Sequence, residues 1–242
     1  GPLPDAHLSV GPLVDIVPLA SGRADNAAIL GIDASHRMIL CSLDGEEANN
    51  IFEDTSYTLE KGVVKAMAIS SREMGDVYIL APEAELVLVE YQSQGYRLGT
   101  EYFGDVDVPP MTDAIDLAVN KSELYLLHED GQITKCVKSG PATSAKCLPA
   151  FEYTDDRPGR SSGPTMQGAN FSALKFQARL GMILYLLDPN QQAVYQFSPQ
   201  LEYKGQYRPV SELPEDISAF TVDEKMRIYL AAGDQVYRAQ MP

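Results

Sequence analysis

The stretch Leu184-Tyr185-Leu186-Leu187-Asp188-Pro189-Asn190, followed by Ala193-Val194-Tyr195-Gln196-Phe197, reads as two apolar strands joined by a tight polar turn. Its core recurs. Tyr followed by two aliphatic or small residues appears as Tyr78-Ile79-Leu80, Tyr125-Leu126-Leu127, Tyr185-Leu186-Leu187 and Tyr229-Leu230-Ala231, and Ile39-Leu40-Cys41 is read as a copy lacking the Tyr. An apolar segment precedes each: Ala28-Ile29-Leu30, Ala66-Met67-Ala68-Ile69, Ile115-Asp116-Leu117-Ala118-Val119, Ala173-Leu174-Lys175-Phe176 and Ile217-Ser218-Ala219-Phe220. A third strand follows in most copies, as in Gln132 to Cys136 and Gln235 to Arg238, and Tyr203 to Tyr207 offers a fourth. No long window carries a 3.6-residue apolar period, so almost no helix is expected.

Four strands per repeat at this spacing predict an all-β chain, a β-propeller of four-stranded blades, with five blades preferred over six. One blade cannot bury both its faces alone; neighbours in a ring bury them for one another. The first strand of each copy is expected at the hub, where space is narrow and small residues such as Ala66, Ala68, Ala118 and Ala219 fit. The last copy stops at Gln240-Met241-Pro242 without a fourth strand. Leu13 to Leu19 is therefore expected to complete the last blade and close the ring, leaving no open edge. A β-sandwich is the alternative, and the regular Tyr-aliphatic recurrence argues against it. Gly1-Pro2 reads as the scar of a tag-removing protease, residues 1–12 as scar and tail, and residues 13–242 as one domain.

The chain has 242 residues, enough to bury a large core without a metal or disulfide staple. Apolar residues make up 45%, which excludes disorder. Asp plus Glu number 34 against 19 Lys plus Arg, for a net charge of −15. That lacks the basic footprint that nucleic acid or an anionic membrane requires. The apolar run Met182 to Leu187 is far short of the roughly 20 residues of a spanning helix.

No reactive residue type carries a catalytic signature. Gly159-Arg160-Ser161-Ser162-Gly163 fits G-x-S-x-G, but prolines bracket it, no helix pattern follows, and no His lies beyond His128. His7, His36 and His128 lack ligand spacing and read as a tail residue and two exposed turn residues. Cys41 sits in an apolar run and reads as an inert core thiol. Cys136 and Cys147 flank a polar stretch with a Gly-Pro turn. If their strands pair as a hairpin the two would face and bond, indicating an oxidising compartment; otherwise they are two thiols on adjacent strands. Carboxylates are plentiful, among them Asp54, Asp105, Asp107, Asp113, Asp116, Asp155, Asp156 and Asp216, yet none forms a calcium-loop run. Asp116 stands out as a charge inside an apolar strand and is a candidate hub residue, a strand residue facing solvent or a hydrogen-bond partner being the other reading. The sequons at Asn120 and Asn170 carry little weight. Of the spacers, Gly104 to Pro110 is an acidic connector. Thr154 to Asn170, with Arg157, Arg160, Ser161 and Ser162, is a candidate binding loop, a surface linker being the more common case.

The half of the chain from about residue 115 resembles the C-terminal β-propeller region of bacterial multidomain proteins, some with an upstream PP2C-type Ser/Thr phosphatase domain. The residues that carry the resemblance are Cys136 and Cys147 around a turn, Asp155-Asp156-Arg157-Pro158-Gly159-Arg160-Ser161-Ser162-Gly163-Pro164, the Leu184 to Asn190 stretch, Ala193 to Ser198, and Tyr207-Arg208-Pro209. It implies a membrane-anchored bacterial parent with the propeller outside the cytoplasm, and it offers no functional residues to carry over. Taken together, these features predict a non-enzymatic binding or sensor module for a protein or small ligand, without cofactor, metal or catalytic residues. The alternative is a propeller enzyme with a metal-assisted hydrolase or lyase site at the hub.

Overall fold

The computed structural model describes residues 10–18, 29–44, 49–58, 65–69, 77–81, 85–92, 95–101, 111–120, 122–138, 145–177, 183–210 and 217–241. Among them there is no helix, only antiparallel strands in five sheets. The first holds β1 (Leu13–Pro18), β2 (Ile29–Asp33), β3 (Arg37–Asp44) and β4 (Asn49–Thr58); the second holds β5 (Ala66–Ile69), β6 (Val77–Ala81), β7 (Glu85–Gln92) and β8 (Gly95–Glu101). The third holds β9 (Ala114–Asn120), β10 (Glu123–His128), β11 (Ile133–Lys138) and β12 (Ala145–Phe151). The fourth holds β13 (Ala173–Phe176), β14 (Leu184–Asp188), β15 (Ala193–Phe197) and β16 (Tyr203–Tyr207). The fifth has three strands: β17 (Ile217–Val222), β18 (Arg227–Ala232) and β19 (Gln235–Gln240).

Each sheet is a meander, and the first strands touch in a cycle: β1 with β5, β5 with β9, β9 with β13, β13 with β17, and β17 with β1. The architecture is propeller-like, with these five strands at the hub. The small residues expected there, Ala66, Ala68, Ala118 and Ala219, all lie buried on them. Between sheets, the repeated Tyr residues fill the gaps. Tyr125 packs with Leu174 and Leu186 of the fourth sheet, and Tyr185 with Phe220 and Val222 of the fifth. Burying rings of this size is the main attraction between neighbouring sheets.

The N-terminal strand is placed differently from the expectation. Rather than completing the last sheet, β1 is the inner strand of the first, pairing Val17 with Leu30 and Ile16 with Gly31. It still closes the cycle: Leu13 N donates to Gly233 O at 2.8 Å and Ser218 Oγ to Leu13 O at 2.8 Å. The first copy, read as Ala28-Ile29-Leu30 followed by Ile39-Leu40-Cys41, therefore supplies strands two and three of its sheet, not one and two. A shared turn explains the shift. Asp33 accepts from the N–H groups of Ser35 and Arg37 and from the Arg37 guanidinium. Asp223 does the same with Lys225 and Arg227. His36 and Met226 take matching positive φ values of 63° and 61°. This turn joins strands two and three in the first sheet but strands one and two in the fifth, so local likeness identifies a hairpin without giving its place in the blade.

Candidate functional site at the hub

The inner edge of a first strand has no strand partner, so its N–H groups must be satisfied otherwise. On β1 and β9 an aspartate does this in the same way. Asp15 accepts from the N–H of Ile16 at 2.8 Å, and Asp116 from that of Leu117 at 2.8 Å. Each is the third residue of its strand, as Lys175 is of β13. Lys175 Nζ reaches both carboxylates, 2.8 Å to Asp15 Oδ2 and 2.7 Å to Asp116 Oδ1, and so ties the first, third and fourth sheets together. Asp116 Oδ2 also accepts from Leu174 N at 2.7 Å. All three side chains are 4% exposed.

Burial dominates the electrostatics of this trio. It pushes Asp116 up to about 7; Lys175 pulls it down and Asp15 adds to the rise. Burial also disfavours the Lys175 charge, but the two carboxylates outweigh it and hold the ammonium above its ordinary range. Around neutral pH the trio therefore comprises a charged ammonium and an Asp116 carboxyl held far above its ordinary range.

Asp116 is buried on an inner strand and serves as a hydrogen-bond partner to Leu117 N, Leu174 N and Lys175, whereas the reading of it as facing solvent falls away. Asp15 and Lys175 were missed. The signal was the same as for Asp116, a charge inside an apolar run, in Val14-Asp15-Ile16 and Leu174-Lys175-Phe176. The trio does not suit a divalent metal: the third corner is an ammonium, which repels a cation. No group of three or more His, Cys, Asp or Glu that could hold a metal occurs among the described residues.

The other candidates separate. Cys136 and Cys147 face each other across β11 and β12 and are disulfide-bonded, which is compatible with an oxidising compartment outside the cytoplasm. No helix among the described residues is long and apolar enough to cross a membrane. Cys41 is buried, and burial pushes its thiol up to about 12, so it is inert. His128 is not an exposed turn residue but buried, with Nδ1 3.0 Å from Asp113 Oδ1 and Nε2 2.8 Å from Thr134 Oγ1; a bulge before it turns the ring inward. His36 is half-buried, and His7 and Gly104 to Pro110 lie outside the described residues. In the candidate loop, Arg157 is committed internally. It pairs with Asp155 at 2.6 Å and stacks 3.7 Å over the Tyr203 ring. Arg160 donates to Gln167 O at 2.9 Å, and Ser161 and Ser162 are exposed. The loop is brought nowhere near the hub trio by any of these contacts.

No protein-family model and no curated protein matches the chain. Among solved structures, the glutaminyl cyclase of Myxococcus xanthus matches with a TM-score of 0.53 and 12% identity, covering 97% of this chain and 100% of that one. The likeness is one of fold, from end to end. Against the expectation of a non-enzymatic chain, this solved structure of the same fold is an enzyme.

Proposed function

We propose that this chain is a five-bladed propeller enzyme whose chemistry is proton transfer by the Asp15–Asp116 pair beside Lys175. The reaction it fits is attack on an amide carbon with expulsion of an amine. The observation that carries the reading is the buried trio itself. Ring closure does not require it: at the register position of Asp116, opposite the second residue after the motif Tyr, the second and fourth sheets use Ala66 and Ala173. Three buried ionisable groups at the hub carry a desolvation penalty that small apolar residues avoid. Such placements concentrate at functional sites.

The division of labour follows from the charges. The ionised carboxylate of the pair takes a proton from the attacking nucleophile, and the protonated one gives a proton to the leaving nitrogen. Lys175 keeps the pair from both being neutral. The fold shared with a glutaminyl cyclase suggests the substrate class, an N-terminal glutaminyl group. There the α-nitrogen would bond to the side-chain amide carbon, the bond from that carbon to the amide nitrogen would break, and ammonia would leave. The disulfide supports a setting outside the cytoplasm, and the resemblance to multidomain propellers supports a membrane-anchored parent.

The test is ammonia release from a panel of N-terminal glutaminyl peptides and simple amides by the purified chain, without reductant. Release that is lost in Asp116→Asn and kept in Arg160→Ala supports the reading. No release above buffer from any member of the panel refutes it.

A further inference from the structure

Two buried oxygens on or next to the inner strands of the fourth and fifth sheets lack a hydrogen-bond partner: Gln177 Oε1 and Thr221 Oγ1. Gln177 is 2% exposed and Thr221 0%. A buried acceptor left unpaired is costly, and each case in a folded protein asks for an explanation. The amide orientation of Gln177 is set by its other end, where Nε2 donates to Met226 Sδ at 3.0 Å. Its oxygen is thus an acceptor with nothing to accept.

Their backbone positions place them on or next to adjacent inner strands of the ring. Gln177 follows Lys175 by two positions, on the same side of an extended chain and about 6.6 Å further along it. Thr221 holds the same register position as Lys175: Lys175 is opposite Tyr185 and Thr221 opposite Tyr229, on adjacent inner strands. At that level the second and third sheets carry only Ala68 and Ala118, opposite Tyr78 and Tyr125. One level of the ring thus combines two methyl-sized side chains, a hydroxyl and an ammonium, with an amide oxygen one step beyond.

We infer that Gln177 and Thr221 form a subsite for a small N–H donor, the ammonium ion or primary amine released in the reaction proposed above. The inference rests on that reading and extends it. Two oxygens without donors select a ligand rich in N–H groups. Charge favours the same ligand at the right moment. With one carboxyl protonated the trio is neutral, one positive charge against one negative. The pair gains one proton from the nucleophile and gives one to the leaving nitrogen, so the trio is still neutral when ammonia forms; passing its remaining proton to ammonia would leave the trio net negative beside an ammonium. The subsite would hold the ammonium until it exits, and added ammonium would inhibit as a product.

Binding can be read without catalysis. The melting temperature of the whole chain is measured in ammonium chloride, potassium chloride and sodium chloride at equal ionic strength. A rise of about 5 °C over sodium is expected once ammonium exceeds its dissociation constant about 100-fold. Potassium, similar in size but without N–H groups, should give no such rise. The near-isosteric Gln177→Met and Thr221→Val should each weaken the ammonium effect while melting normally in sodium chloride. If either variant unfolds, the other and the ammonium-against-potassium contrast still decide. An equal response to potassium, or none to ammonium, overturns the subsite. A specific ammonium response in a chain that releases no ammonia from any amide leaves the subsite standing and refutes the catalytic reading alone.

Discussion

Replacing Asp116 by Asn tests the hub electrostatics directly. The asparagine keeps an oxygen to accept from Leu174 N but carries no charge. In the wild type, burial lifts the Asp116 carboxyl from 3.8 to about 7. The native state therefore holds its proton over a pH range in which the unfolded chain has lost it. Between pH 4 and 7 the folded state binds more protons, so stability is full below about pH 4 and is lost as pH rises through 7. The gap of about three pH units, at about 1.4 kcal/mol for each, comes to about 4 kcal/mol. For a chain of this size that is about 8–16 °C in Tm. The assay is thermal unfolding from pH 4 to 8.5 at fixed ionic strength for wild type and Asp116→Asn. The variant should lose most of the fall, and the difference between the two curves should open between pH 4 and 7. Because the Asp15 charge adds to the rise of Asp116 while burial remains the larger cause, Asp15→Asn should flatten the curve in part. Parallel curves for wild type and both variants would refute the raised, buried Asp116 carboxyl.

Four other outcomes follow from the same structure. Lys175→Met leaves two buried carboxyls without their counter-charge and should cost about 3–5 kcal/mol in urea unfolding near neutral pH. Gly31→Ala puts a methyl 3.2 Å from Leu13 Cδ2 and 3.4 Å from Ile39 Cγ1, between β1 and β3, and should destabilise by about 1–3 kcal/mol, read by the same method. Reducing Cys136–Cys147, which closes a separation of 11 residues, should lower stability by about 2–3 kcal/mol in calorimetry with and without a phosphine. Asp223→Ala removes the acceptor for two backbone N–H groups, the Arg227 guanidinium and the Tyr229 hydroxyl, and should cost about 2–4 kcal/mol, whereas Asp223→Asn should recover part of it.

Much of the architecture was legible because strand alternation and turn residues are local. Tyr185 and Tyr229 marked second strands correctly, and the facing pair Cys136–Cys147 was legible too, since a hairpin brings those two positions together. The misplacement of β1 shows the limit. The turn around Asp33 and Arg37 satisfies the same groups as that around Asp223 and Arg227, and nothing within the hairpin records which strand lies nearest the axis. That is decided by what packs across the ring. The hub trio was one-third legible for the same reason. Asp116 was visible as a charge among apolar neighbours, but Lys175 lies 59 positions from it in sequence, and Asp15 lies 160 from Lys175. His128 was misjudged because a turn signal next to it said nothing of Asp113 and Thr134, which draw it inward.

The position of β1 also bears on how the chain is made. It leaves the ribosome ahead of the other eighteen strands, yet one of its flanks is covered by β17 and β18, which emerge after the other four sheets. At about 5–20 residues per second, the interval from residue 18 to residue 241 is about 10–45 s. Throughout it, the apolar flank that Ala219, Tyr229 and Val236 will cover, including Leu13 and Ile16, stays open. Nascent chains of this protein must therefore survive as an unclosed arc, and substitutions that make β17 to β19 slow to dock should reduce yield even where they leave the finished ring as stable as before.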